Sequence, residues 1–236
     1  MQLATWQGVA LALMLAGTAG ADSEIIESDA ASELPDYARP KGRVLSEDEL
    51  GTISRDLIGY RRLTRADFRA TEPPGQVAGN AERLGAATCA VITPLDTSRV
   101  EVRGHSDGVF EARVIGLRFQ ARMDRQCSWW NDGQTAQPAE YVLEHEQIHF
   151  ALFELETRRM NDEADALASR LGATGPSQQA VMATYAEALR RELEIAARRV
   201  IDRSLEFDED TSNSHRPDRQ RAWAERVAVE LGEPLR

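Results

Sequence analysis

The chain has 236 residues, 42% of them hydrophobic and 28% charged, the composition of an ordinary globular protein with a core of its own. Its formal net charge of −11 argues against a nucleic-acid binder, because such affinity depends on neutralising phosphates with Lys and Arg. Residues 1–21 contain no Asp, Glu, Lys or Arg, so all of that charge belongs to the rest of the chain.

The first residues carry an apolar run from Val9 to Ala16 and then small residues as far as Ala21. This predicts a secretory signal peptide over residues 1–21, cut after Ala19-Gly20-Ala21, with the α-amino group as its sole positive charge. The run is too short to span a bilayer comfortably. No stable membrane insertion is therefore expected once the signal is removed, and the location expected is periplasmic or secreted. Residues 22–47 are acidic, interrupted by Pro35 and Pro40 and poor in large apolar side chains, which predicts a flexible leader. Residues 48–236 are expected to form a single domain.

Ser46-Glu47-Asp48-Glu49 has the pattern that caps a short helix, and Pro73-Pro74-Gly75 marks a loop. Strands are predicted from Thr88 to Thr93, Arg99 to Arg103 and Val109 to Arg113, followed by a longer run from Val114 to Trp130. In that run Leu117, Phe119 and Ala121 alternate with Arg and Gln, as a half-buried strand requires. Gly104-His105-Ser106-Asp107-Gly108 has the composition of a hairpin turn, which makes His105 an exposed turn residue. The two cysteines, Cys89 and Cys127, both fall in this β-rich stretch, and an oxidising compartment predicts a single disulfide between them.

After Pro138, which suits a first helical turn, the segment from Ala139 to about Leu171 contains no interior Gly or Pro and predicts one long helix. Gly172 and Gly175-Pro176 end it and start another. Met182, Leu189, Leu193, Ala196 and Val200 give that second helix an apolar stripe. A polar loop is expected from Glu206 to Asp218, then a last amphipathic helix around Gln220 to Leu231. The fold class predicted is α+β: a small, mainly antiparallel β-sheet in the N-terminal half packed against a C-terminal set of long helices.

The first long helix contains His145-Glu146-Gln147-Ile148-His149, an HExxH motif that uses two of the four histidines. Residues four apart lie one above the other on a helix, so both imidazoles can reach one ion. Zinc accepts neutral imidazole and tolerates a site with one open position. Glu146 is then the candidate general base. A zinc hydrolase needs a third protein ligand. Leu155 stands where an extended metzincin motif would place histidine. His215, in the polar loop, is the leading candidate, with Asp208, Glu154 and Glu163 as alternatives. Glu154 is rotated away from the metal face, and Asp208 is suited to holding the imidazole of a ligand histidine.

Four segments together resemble a known family. His145-Glu146-Gln147-Ile148-His149-Phe150, with Glu154 after it, is similar to the HEQxHF signature of the bacterial DUF922 family, regarded as secreted zinc-dependent proteases. In the same order, Leu63-Thr64-Arg65-Ala66-Asp67-Phe68 resembles its LxWxDF segment and Cys127-Ser128-Trp129-Trp130 its SW strand end. Phe207-Asp208-x-x-Thr211-x-x-x-His215, with Gln220 and Trp223, resembles its YDxxTxHGxxQxxW segment. The chain departs from the pattern at Arg65, where tryptophan is usual, and in the His215 segment, which has one extra residue and arginine for glycine. The resemblance implies a secreted or periplasmic metallopeptidase acting on a protein or peptide substrate, with zinc on His145, His149 and His215. Two other readings stand beside it: a zinc hydrolase of a non-peptide amide in the cell wall, and a non-catalytic envelope binding protein.

Overall fold

The centre of the molecule is helix α1 (Ala139–Asp162), in which every residue from Glu146 to Phe153 is buried. A helix buried on all sides must be enclosed by other elements, and the rest of the fold does this. The computed structural model describes residues 11–14, 56–74, 84–133, 137–211 and 216–235. The acidic leader, the short helix expected at Ser46–Glu49, most of the signal segment and His215 lie outside the described residues.

The N-terminal half is β-rich and the C-terminal half helical, an α+β fold as predicted, with the strands divided among three small antiparallel sheets. The largest has the order β1 (Leu11–Met14), β4 (Cys89–Pro94), β7 (Phe119–Asp124), β2 (Leu57–Gly59). Residues Ala90 and Ile92 of β4 face Met123 and Ala121 of β7 in register, and α1 packs on this sheet through β7 and β4. Strand β1 lies inside the stretch read as a signal peptide, so removal of residues 1–21 would leave β4 at the sheet edge. The short pair β3 (Ala86–Ala87) and β8 (Trp129–Trp130) forms a second sheet. The third contains β5 (Arg99–Gly104) and β6 (Phe110–Ile115), whose hairpin turn holds His105 as expected. The run expected from Val114 to Trp130 is interrupted at Gly116, whose φ of 63° lies in the left-handed region. Glycine enters that region without steric penalty, and the turn there sends β6 and β7 to different sheets.

The predicted disulfide is present between Cys89 and Cys127, 38 residues apart in sequence. In the chain-entropy model, closing a loop of this size stabilises the fold by about 4 kcal/mol. The bond is consistent with a non-cytoplasmic location, and among the described residues no helix is long and apolar enough to cross a membrane.

Three predicted helical boundaries move. The helix expected to run to Leu171 stops at Asp162, and α2 (Ala164–Arg170) follows after Glu163, whose φ and ψ of −96° and 6° leave the helical basin. Asn161 is engaged there by β7: its side chain accepts from the Phe119 N–H at 2.8 Å and donates to the Phe119 carbonyl at 3.0 Å. The redirected chain buries Leu167 and Leu171. The Gly-rich stop forms an unexpected strand, β9 (Ala173–Gly175), which pairs with β6 and so satisfies its backbone groups. Finally, α3 (Gln178–Thr211) continues through half of the loop expected from Glu206 to Asp218. Its apolar stripe of Leu189, Leu193, Ala196 and Val200 extends through Ser204, Phe207 and Thr211, all buried. The density of acidic residues hides that periodicity in the sequence. Helix α4 (Pro217–Leu231) closes the bundle with Trp223, Val227 and Leu231 in the core.

Candidate metal centre

Helices α1 and α3 run side by side and bring three donor atoms together. His145 and His149 lie one turn apart on α1, with ring centroids 4.8 Å apart. Asp208, on the last turns of α3, points its Oδ1 at both: 3.1 Å from Nε2 of His145 and 3.2 Å from Nε2 of His149. The two Nε2 atoms are themselves 3.2 Å apart. Among the described residues this is the group of His, Cys, Asp or Glu side chains able to hold a metal ion.

The triangle fits a small divalent ion. Ligand bonds of about 2.0–2.1 Å in tetrahedral geometry place donor atoms about 3.3–3.4 Å apart, close to the edges found here. Two imidazole nitrogens and a carboxylate oxygen are also a donor set that zinc accepts. Helix electrostatics point the same way. Asp208, Glu209 and Asp210 stand at the C-terminal end of α3, whose last turn has no basic residue. The helix dipole disfavours negative charge there, and a bound cation would reverse the sign of that interaction.

Charge at the site is set by mutual proximity. Burial alone would raise the pKa of Asp208, yet the neighbouring His149 and His145 hold its carboxyl well below the usual carboxylate range. Burial alone would likewise lower His149, but the charges of Asp208 and Glu146 push it up. Both groups therefore favour their charged forms when no ion is present.

The surroundings are apolar on one side and hydrogen-bonding on the other. The ring of the fully buried Phe207 lies 4.4 Å from that of His145 and 5.0 Å from that of His149, and Trp223 stands 5.4 Å behind it. Trp223 Nε1 donates to Asp210 Oδ2 at 2.9 Å, tying α4 to the end of α3. Thr211 Oγ1 donates to the Phe207 carbonyl at 2.7 Å and closes the final turn that carries Asp208. On the opposite side, Gln220 of α4 is fully buried and approaches His145 Nδ1 at 3.3 Å.

The remaining parts of the motif divide between chemistry and scaffolding. Glu146 is buried and adjoins the site closely enough to raise the pKa of His149. Gln147 accepts from the Leu63 N–H at 2.6 Å and donates to the Arg61 carbonyl at 3.3 Å. It thereby docks the segment Leu63–Phe68 against α1, and in that segment Asp67 is bound by Arg61 and by the Thr64 N–H and hydroxyl. A cavity of about 840 Å³ lies beside α1 and is lined by Glu144 and Gln147 but by none of the three converging residues.

The predicted His145 and His149 are thus brought together, with Glu146 beside them. Asp208 does more than orient a ligand: its oxygen is within the triangle. It was expected in a loop, and the four-residue step from Ser204 on a continuing helix was the signal that would have aimed it at α1. Glu154 pairs with Arg158 at 2.8 Å and Glu163 with Arg159 at 2.7 Å, and neither belongs to the converging group. His105 lies 3.5 Å from Glu111 in its hairpin. Comparison of the chain with family models, curated proteins and solved structures finds no match.

Proposed function

We propose that this protein is a zinc-dependent metallopeptidase of the periplasm or the secreted fraction, cleaving a protein or peptide substrate, and that it is related to the DUF922-type proteases, which its four segments resemble. The observation that carries this reading is the convergence of His145, His149 and Asp208 within 3.2 Å on the face beside Glu146. His145 and His149, in their neutral forms, would ligate through Nε2, and Asp208 would supply the negative charge of the ligand set. Two neutral imidazoles and one carboxylate leave a divalent ion with net positive charge, which preserves its Lewis acidity. Zinc held by His145, His149 and Asp208 would supply Lewis acidity, lowering the pKa of a bound water to about 7 and stabilising negative charge on a carbonyl oxygen. Glu146 takes the proton of the attacking water on a carboxylate oxygen and delivers it to the nitrogen of the leaving amine. Phe207 and Trp223 exclude water from the back of the site and strengthen its electrostatics.

The test is metal analysis of the purified chain combined with hydrolysis of a peptide library. Stoichiometric zinc is expected, with cleavage that a chelator abolishes and zinc restores. Cleavage of purified cell-wall material but of no peptide would select a non-peptide amide as substrate. Absence of bound zinc at micromolar supply would overturn the metal reading altogether.

A further inference from the structure

Gln220 is fully buried on α4, far in sequence from the motif, and its amide has three polar neighbours. Tyr141 O lies 3.0 Å and Glu144 Oε2 2.8 Å from Nε2, while His145 Nδ1 lies 3.3 Å from Oε1. The orientation of this amide follows from chemistry. A backbone carbonyl and an ionised carboxylate can only accept, so both require the NH₂ group. Reversing the amide would set its oxygen against two acceptors in a buried site. Oε1 is therefore held toward His145, and there it can only accept. An N–H of the imidazole consequently belongs on Nδ1, and Nε2 is the nitrogen directed at Asp208 and His149.

We infer that Gln220 is a positioning residue that fixes the tautomer and ring orientation of His145, so that α1 presents a ligand-ready nitrogen before any metal arrives. This inference rests on the metal centre proposed above. The ring has polar neighbours on both nitrogens: Asp208 Oδ1 lies 3.1 Å from Nε2, the atom that must be bare to ligate, and Gln220 Oε1 lies 3.3 Å from Nδ1. Gln220 engages the ring from the Nδ1 side, and Glu144 and the Tyr141 carbonyl hold Gln220 in the orientation that does so. Partners of this kind on a ligating histidine commonly account for 10–100-fold in metal affinity. Among the described residues His149 has no such partner, its Nδ1 being buried without a hydrogen bond there, so the effect of Gln220 falls on His145.

The test compares zinc affinity, by chelator competition, in the wild type, Gln220→Met and Gln220→Glu. Methionine keeps the volume and removes the acceptor, so affinity should fall about 10–100-fold, and the visible spectrum of the cobalt-loaded protein should shift. Glutamate keeps an acceptor toward His145 and can share a proton with Glu144, so it should retain most of the wild-type affinity. Thermal unfolding of the metal-free variants separates packing from positioning, because a packing role would lower stability in both without lowering affinity. A folded Gln220→Met that binds zinc as tightly as the wild type overturns the inference. Should Gln220→Met not fold, loss of affinity in Gln220→Glu overturns it instead. A wild type that takes up no zinc removes the metal centre itself, an outcome distinct from either.

Discussion

Asp208 Oδ1 lies 3.1 Å from His145 Nε2 although 63 positions separate the two residues. The contact exists because α3 does not end where its acidic residues begin. One further turn carries Asp208 onto the face that meets α1. If the pair and His149 share an ion, Asp208→Ala should lower zinc affinity by at least tenfold, since even the partners that only orient a ligand commonly account for about 10–100-fold. His215→Ala, measured in parallel by the same competition assay, tests the other sequence-derived ligand. If both substitutions weaken binding, the ion has four protein ligands and no open position, the arrangement of structural zinc sites, and catalysis by the proposed route is ruled out.

Glu146→Gln separates metal binding from proton transfer. The amide is nearly isosteric but cannot take a proton from water. Zinc content should stay at the wild-type level while kcat/KM for peptide hydrolysis falls by about 10²–10⁴-fold, the range for loss of a general base. Turnover close to wild type would remove Glu146 from the mechanism.

Acid and metal act on the same triangle in opposite directions. In the metal-free protein the pKa of His149 is raised, by Asp208 and Glu146 against the effect of burial. Its contribution to stability is therefore fully present below the ordinary histidine value of about 6.5 and is lost as pH rises through the raised value. Zinc binding needs the neutral imidazole and strengthens over that same interval. Thermal unfolding followed across it should show metal-free Tm falling with pH and the stabilisation by added zinc growing. Parallel curves with and without zinc would contradict the shared site.

Asp67 has the opposite sign. Burial would raise it, but Arg61 and the Thr64 N–H and hydroxyl hold it below the usual aspartate value of 3.8. Stability from this group is present above that value and lost as pH falls through the depressed one. Asp67→Asn should thus be less stable than wild type at neutral pH and lose less of its unfolding free energy on acidification to about pH 2. Denaturant titrations at the two pH values measure the difference.

Gly85, the residue before β3, is packed against α1. A Cβ there would lie 2.7 Å from both Cγ atoms of Val142, one turn before His145. Valine in a helix has almost no alternative rotamer, so Gly85→Ala must push the strand and α1 apart. A destabilisation of about 1–3 kcal/mol is expected from such overpacking, read by chemical denaturation. No change in stability would mean that the contact yields freely.

How much of this was legible in the chain differs from residue to residue. His145 and His149 needed only a helix between them, and the absence of Gly and Pro after Pro138 provided it. Alternation over Leu117, Phe119 and Ala121 located β7, and the two cysteines of the β-rich stretch proved to be bonded. These are local properties: helical spacing, strand period and backbone freedom act over a few residues and appear in their order. The third corner of the site is different. Asp208 and Gln220 are polar residues in or beside a stretch whose composition argues for a loop; Asp208 stood as an alternative ligand and the resemblance includes both, but local spacing alone does not bring either to His145. Their role arises from packing, because the buried stripe of Ser204, Phe207 and Thr211 prolongs α3 and the core position of Trp223 seats α4 against it. Local sequence therefore determined which two imidazoles share a helical face. Only the tertiary structure decided what they face, since burying Phe207 between them and Trp223 is a long-range event that brings the carboxylate and the amide along with it.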